Sequence, residues 1–86
     1  MGMKVALDVV DRRRREPLYL QLAKAITGAI REGHYGPGER IPSEREFMRE
    51  GRLSYPTVAQ AFREVVKAGW VRRKVGSGTF VADPLP

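Results

Sequence analysis

Apolar residues recur at spacings of three and four through Tyr19, Leu22, Ala23, Ile26 and Ile30, a one-sided stripe that predicts an amphipathic helix. Pro17 suits the first turn of that helix, where a missing N–H has no intrahelical partner to lose, and Gly33 suits the position just past its end. A second helix opens at Ser43-Glu44-Arg45-Glu46, which has the spacing of a capping box: the Ser43 hydroxyl accepts from the Glu46 N–H while the Glu46 carboxylate accepts from the Ser43 N–H. This helix is expected to be short, because Gly51 follows closely and marks a turn. Ser54 then reads as the N-cap of a third helix, with Pro56 tolerated in its first turn. Val58, Ala61, Phe62 and Val65 form its inward stripe, and at about 100° per residue the opposite face carries Pro56, Ala59, Gln60, Arg63 and Lys67. Gly69 ends it.

The periodicity then changes. Residues 70–75 and 79–82 read as two strands joined through Gly76-Ser77-Gly78, a tight hairpin. Gly36-Pro37-Gly38 signals a turn, after which Arg40-Ile41 suits a very short strand. Residues 5–10 are valine-rich and alternate loosely, as in a short edge strand or an extended arm leading into the run from Arg12 to Arg15; that run fits either phosphate contacts or a solvated linker. Asp83-Pro84-Leu85-Pro86 reads as the start of a linker. The expected fold is mainly α with a small β-hairpin: three helices plus a wing, and a short N-terminal strand. Residues 1–16 form an arm, 17–82 the folded domain, and 83–86 lead toward a C-terminal domain.

Composition narrows the function. Eighty-six residues suffice for one domain, and 42% hydrophobic content is too high for a disordered chain. Sixteen Lys and Arg against ten Asp and Glu leave a formal charge of +6, which favours a polyanionic partner. From Arg52 onward six basic residues face only Glu64 and Asp83, so the positive excess lies in the third helix and hairpin. Without cysteine there is no disulfide or thiolate metal site, and His34, the single histidine, sits among glycine turns as a surface residue. No nucleophile and base or carboxylate pair share an element, so neither catalysis, a metal nor a cofactor is expected. No signal peptide or membrane-spanning run is present, and a cytoplasmic location without a membrane partner is expected.

Three separated segments carry a resemblance: Pro17-Leu18-Tyr19-Leu20-Gln21-Leu22, the run from Pro37 to Phe47 that contains Pro42-Ser43-Glu44-Arg45-Glu46, and Gly76-Ser77-Gly78-Thr79-Phe80-Val81. Together, from about Pro17 to Val81, they resemble the N-terminal DNA-binding domain of GntR-family bacterial transcription regulators. The resemblance implies a winged helix-turn-helix, used as a homodimer on a palindromic operator, with a separate C-terminal domain that senses an effector or oligomerises; the fragment alone is expected to be monomeric or weakly dimeric. It maps a DNA-contacting arginine onto Arg45, the recognition helix onto residues 54–68 in the major groove, and a wing glycine that enters the minor groove onto Gly76 or Gly78 of the hairpin at 70–82. The chain departs from the family pattern at Tyr55 and Ala59, where many members carry arginine. Contacts credited to those arginines do not transfer, and the operator is expected to differ accordingly.

In such a module the first turns of the recognition helix reach base edges while surrounding groups hold phosphates. Tyr55, Pro56, Ala59 and Gln60 are the specificity candidates, with Gln60 suited to adenine and Ala59 to a thymine methyl. Arg63 and Lys67 suit phosphate; Thr57 and the free N–H groups near Ser54 suit a phosphate at the helix N-terminus. In the hairpin Arg72 and Lys74 share one face and Arg73 the other. Gly76, Ser77 and Gly78 form a tip lean enough for a minor groove about 6 Å wide. Two other functions fit the same fold: a winged helix that mediates protein assembly without reading DNA, and the DNA-binding part of a MocR-like regulator fused to an aminotransferase-like domain.

Overall fold

The computed structural model describes residues 3–86, the side chain of Val9 excepted; the first two residues of the expected 1–16 arm lie outside the described residues. Helix α1 spans Leu18–Arg31, α2 Glu44–Gly51 and α3 Tyr55–Lys67, followed by β1 Val71–Lys74 and β2 Gly78–Val81. The three helices and the antiparallel hairpin are those the periodicity predicts, to within a few residues at each end.

Local chemistry sets the ends. Pro17 stands one position earlier than expected, as the N-cap of α1, with the extended ψ of 144° that keeps it outside the helix. The Ser43 capping box is complete: the Glu46 N–H donates to Ser43 Oγ at 3.1 Å, and the Ser43 N–H donates to Glu46 Oε1 at 3.0 Å. Both α1 and α3 close in the same way. Gly33 at φ 83° and Gly69 at φ 86° turn the chain left-handed, letting the His34 N–H reach the Ala29 carbonyl at 2.9 Å and the Trp70 N–H reach the Val65 carbonyl at 3.1 Å.

α3 is the central element, packing against both α1 and α2. Leu22, Ile26 and Ile30 from α1, Phe47 from α2, and Val58, Ala61, Phe62 and Val65 from α3 are buried together with Val71 and Val81 of the hairpin. Phe47 meets Phe62 edge to face, ring centroids 5.6 Å apart at 73°, the geometry that opposes a ring's positive edge to its neighbour's negative face.

The hairpin pairs Val71 with Val81 and Lys74 with Gly78. Against the expected 70–75 and 79–82, β1 is one residue shorter at each end and β2 is shifted one residue toward the N-terminus, so that Gly78 belongs to β2 rather than to the connecting loop. The short strand anticipated at Arg40-Ile41 is present as a single antiparallel bridge between Arg40 and Phe80. It is held by the Ile41 N–H to the Thr79 carbonyl at 3.0 Å and the Val81 N–H to the Glu39 carbonyl at 2.8 Å.

The N-terminal segment corrects the expectation. Residues 5–10 form no strand; a single 3-10 turn occupies Leu7–Val9, and Val5 is buried in the core. Alternation alone did not reveal that Gln21, on the buried side of α1, holds the chain that follows, at Asp11 and Glu16. Its carboxamide is 3% exposed. Oε1 accepts from the Asp11 N–H at 2.7 Å, and Nε2 donates to the Asp11 and Glu16 carbonyls at 3.0 and 2.7 Å. A buried amide with every partner in place clamps the arm instead of a β-ladder.

Truncating Phe62 to alanine removes the ring on which α2, α3 and the hairpin converge. The Phe62→Ala domain is expected to lose about 3–5 kcal/mol, read as a lowered midpoint in urea unfolding followed by circular dichroism.

Candidate nucleic-acid interface

The candidate surface is built on the turn between α2 and α3. Arg52, not Gly51, takes the left-handed conformation, at φ 52°, and the Leu53 N–H closes the turn on the Met48 carbonyl at 3.0 Å. Gly51 is the last residue of α2, and its role is space: a Cβ there would stand 2.9 Å from Leu53 Cδ1. Leu53 is thereby buried and the following Ser54 is set as the N-cap of α3.

Ser54 Oγ accepts from the Thr57 N–H at 3.4 Å and donates to Thr57 Oγ1 at 3.0 Å. This narrows the expected phosphate site at the start of α3. The Thr57 N–H is engaged by the cap and Pro56 has none, so the Tyr55 N–H is the backbone donor left in the first turn, beside the two hydroxyls. Tyr55 itself is 59% exposed, and Pro56 is exposed next to it.

Ala59 is a correction. At 5% exposure its methyl is enclosed, because the buried arc of α3 is wide enough to take in Val58, Ala59, Ala61, Phe62 and Val65. The expected contact with a thymine methyl is not available from that position. Gln60 and Arg63 lie on the open side, joined by a hydrogen bond from the Arg63 guanidinium to Gln60 Oε1. Arg63 and Lys67, both cationic and four residues apart, repel each other; the partner Arg63 finds is three residues earlier. Lys67 is exposed in the last turn, about 18 Å along the axis from Tyr55.

On α2, Arg45 is exposed and makes no hydrogen bond or ion pair among the described residues. Its neighbour Glu44 has a different task. Arg73 of β1 donates to Glu44 Oε1 at 3.1 Å, and its guanidinium lies 5.4 Å from the Phe62 ring centroid. This is the inner face of the hairpin, shared with buried Val71, Thr79 and Val81. Arg72 and Lys74 are exposed on the outer face, where Lys74 Nζ stands 5.4 Å from the Phe80 ring centroid. The three consecutive cations are thus divided by the pleat, with Arg73 fastening the wing to α2 and α3.

At the tip, the Ser77 N–H donates to the Lys74 carbonyl at 2.9 Å, with Gly76 at φ 78°. The two glycines differ. Gly76 has open space where a side chain would be, whereas a Cβ on Gly78, at φ 128°, would meet Arg40 Nε at 2.8 Å. Gly78 makes room for the Arg40 side chain, and the unobstructed tip is formed by Val75, Gly76 and Ser77. Val75 is fully exposed, at 105%; its place in the strand pattern concealed that it leads the turn. Between tip and α2 lies an open cleft of about 470 Å³ lined by Arg40, Ser43, Glu44, Arg73, Lys74 and the tip residues. Three cations face one carboxylate there.

The family model for gntR-type bacterial regulatory proteins matches residues 18–81. The chain belongs to the GntR family. It is 46% identical over 70 residues to an arabinose metabolism transcriptional repressor of Geobacillus stearothermophilus, covering 81% of this chain and 19% of that protein. Among solved structures it resembles the AraR DNA-binding domain crystallised with operator ORR3, at 34% identity and TM-score 0.72, covering 74% of this chain and 77% of that one. It also resembles the GntR-family transcription factor YtrA from Sulfolobus acidocaldarius, at 26% identity and TM-score 0.81, covering 90% and 81%. The chain therefore has the winged helix-turn-helix of GntR regulators, and it spans less than a third of the length of the curated relatives it matches. Among the described residues no helix is long and apolar enough to cross a membrane.

The capping box at the start of α2, the helix that carries Arg45, is sensitive to pH. The bond from the Ser43 N–H holds the Glu46 carboxyl below its ordinary pKa. A depressed folded-state value means that Glu46 stabilises the fold above the ordinary glutamate pKa of about 4.3, and that this contribution disappears as pH falls through the lower folded value. Unfolding free energies of the protein and of Glu46→Gln, from urea titrations, are expected to differ by about 1 kcal/mol or less near neutrality and to converge toward pH 3.

Proposed function

We propose that this domain recognises a specific duplex DNA sequence and serves as the operator-reading part of a transcription regulator. The observation that carries the reading is the division of basic residues by role. Arg73 is engaged by Glu44 and the Phe62 ring, while Arg45, Arg72 and Lys74 stand exposed without a carboxylate partner among the described residues, around a wing fastened to α2 and beside the open first turn of α3. The likeness to a domain solved on operator DNA supports it.

The first turns of α3 enter the major groove with Tyr55, Pro56 and Gln60 toward the bases. Gln60 and Arg63 act as a unit: the carboxamide oxygen has two lone pairs, so it accepts from Arg63 and from an adenine N6 amino group together. Arg45, Ser54, Thr57, Arg63, Lys67, Arg72 and Lys74 hold phosphates. Gly76, with Ser77 and Val75, approaches the minor groove. Binding rather than catalysis is the activity. We infer a homodimer on a palindromic operator, working in the cytoplasm; the greater length of the relatives supports effector sensing in a C-terminal domain beyond the linker at 83–86.

Selection of bound duplexes from a random pool is expected to enrich a defined motif; recovery of unselected sequence would overturn specific readout. On the enriched duplex, Arg45→Ala and Arg63→Ala weaken binding. Gln60→Ala costs about 1–3 kcal/mol at one base position and relaxes preference there. Sedimentation of the isolated domain is expected to give a monomer or a weak, concentration-dependent dimer.

A further inference from the structure

The arginine run of the N-terminal arm remains outside that surface, and its placement gives it a use. Four arginines, Arg12 to Arg15, are flanked by Asp11 and Glu16. The carboxylates do not neutralise them evenly. Arg13 pairs with Asp11 at 3.2 Å, and Arg14 pairs with Glu16 at 2.9 Å, where Lys24 joins it. Arg12 and Arg15 are exposed and have no carboxylate partner among the described residues.

The arm is also not a loose tail. Gln21 holds it at Asp11 and Glu16, and Val5 is sunk in the core. Its far side rests on the helix-turn-helix. Leu7 Cδ1 would stand 3.6 Å from a Cβ on Gly51, and the Arg12 guanidinium donates to the carbonyl of Arg52, two residues before the N-cap of α3. That bond uses one of the five guanidinium donors and leaves the rest open to solvent. An unneutralised arginine is therefore anchored beside the same turn that presents Ser54, Tyr55 and Thr57.

We propose that the arm is a further phosphate-gripping element, with Arg12, supported by Arg15, contacting the duplex backbone next to the stretch read by α3. The inference rests on the operator-binding reading above. Because the arm is already ordered, its contacts cost little additional chain entropy on binding. Phosphates carry no base identity, so the arm adds affinity and salt dependence equally on every sequence.

The test compares the domain with Arg12→Gln/Arg15→Gln, in which glutamine keeps a donor for the Arg52 carbonyl but carries no charge. Urea unfolding verifies that the variant is folded. Affinity for the selected operator and for a scrambled duplex is measured from 50 to 200 mM salt. Each lost phosphate contact lowers the slope of log K against log salt by about 0.9, so the double variant is expected to lose about 1–2 from the slope and to weaken on both duplexes by the same factor. Lys4→Gln, at a lysine already paired with Glu39 at 3.5 Å, removes one positive charge away from the turn and is expected to leave the slope unchanged. A double variant with the wild-type slope, a loss confined to the operator, or an equal loss in Lys4→Gln overturns the role of the arm while leaving operator reading intact. A wild-type domain that binds neither duplex overturns both.

Discussion

Phe62 is the point on which the rest of the molecule depends. One face of the functional surface is α2, another is α3 and a third is the wing, and the ring of Phe62 touches all three. It lies on α3, meets Phe47 of α2 edge to face, and receives the Arg73 guanidinium from β1. A domain of this size has a thin core, so one fully buried aromatic that serves three elements sets their mutual angles more firmly than separate aliphatic contacts would. Glu44 completes the arrangement from the first residue of α2, giving Arg73 a carboxylate as well as a ring. The wing is thus fastened at its base by β-pairing to residues 39–41 and along its inner face by Arg73, while its tip is left open.

Three turns convert that core into a surface. The left-handed Arg52 turns the chain between α2 and α3, and the absence of a side chain at Gly51 leaves room beside it for Leu53. The cap of Ser54 starts α3 with most of its first turn facing outward. At the hairpin, Gly76 allows the tight reversal and Gly78 lets Arg40 lie across β2. Each is a matter of steric room, and together they bring an exposed arginine, a helix start and a lean loop within one framework.

Much of this was legible along the chain. The Ser43 box, the Ser54 cap, the glycine-terminated helices and the alternation of Arg72, Arg73 and Lys74 all depend on neighbours a few residues apart, and the structure has each of them. What escaped were features with partners far away in sequence. Ala59 seemed to belong to the outer face, yet it is covered. The bond from Arg63 to Gln60 also escaped, since helical spacing offers i+3 and i+4 neighbours alike and only side-chain direction chooses between them. Residues 5–10 carried a strand's alternation, but they form a 3-10 turn at Leu7–Val9, and the chain that follows is held at Asp11 and Glu16 by a glutamine on α1.

By itself, then, the sequence determined the order and ends of the helices, the hairpin, the excess of positive charge from Arg52 onward, and the family, because all of these are encoded in short-range spacing and composition. Only the tertiary structure decided which arginine is structural and which is presented, which glycine is the open tip, and that the arm lies against the helix-turn-helix. Those outcomes turn on contacts such as Arg73 with Glu44, 29 residues apart, and Arg12 with Arg52, 40 apart. A pattern read along the chain can show that a side chain points away from its own helix; whether another element then covers it is settled only when the elements pack.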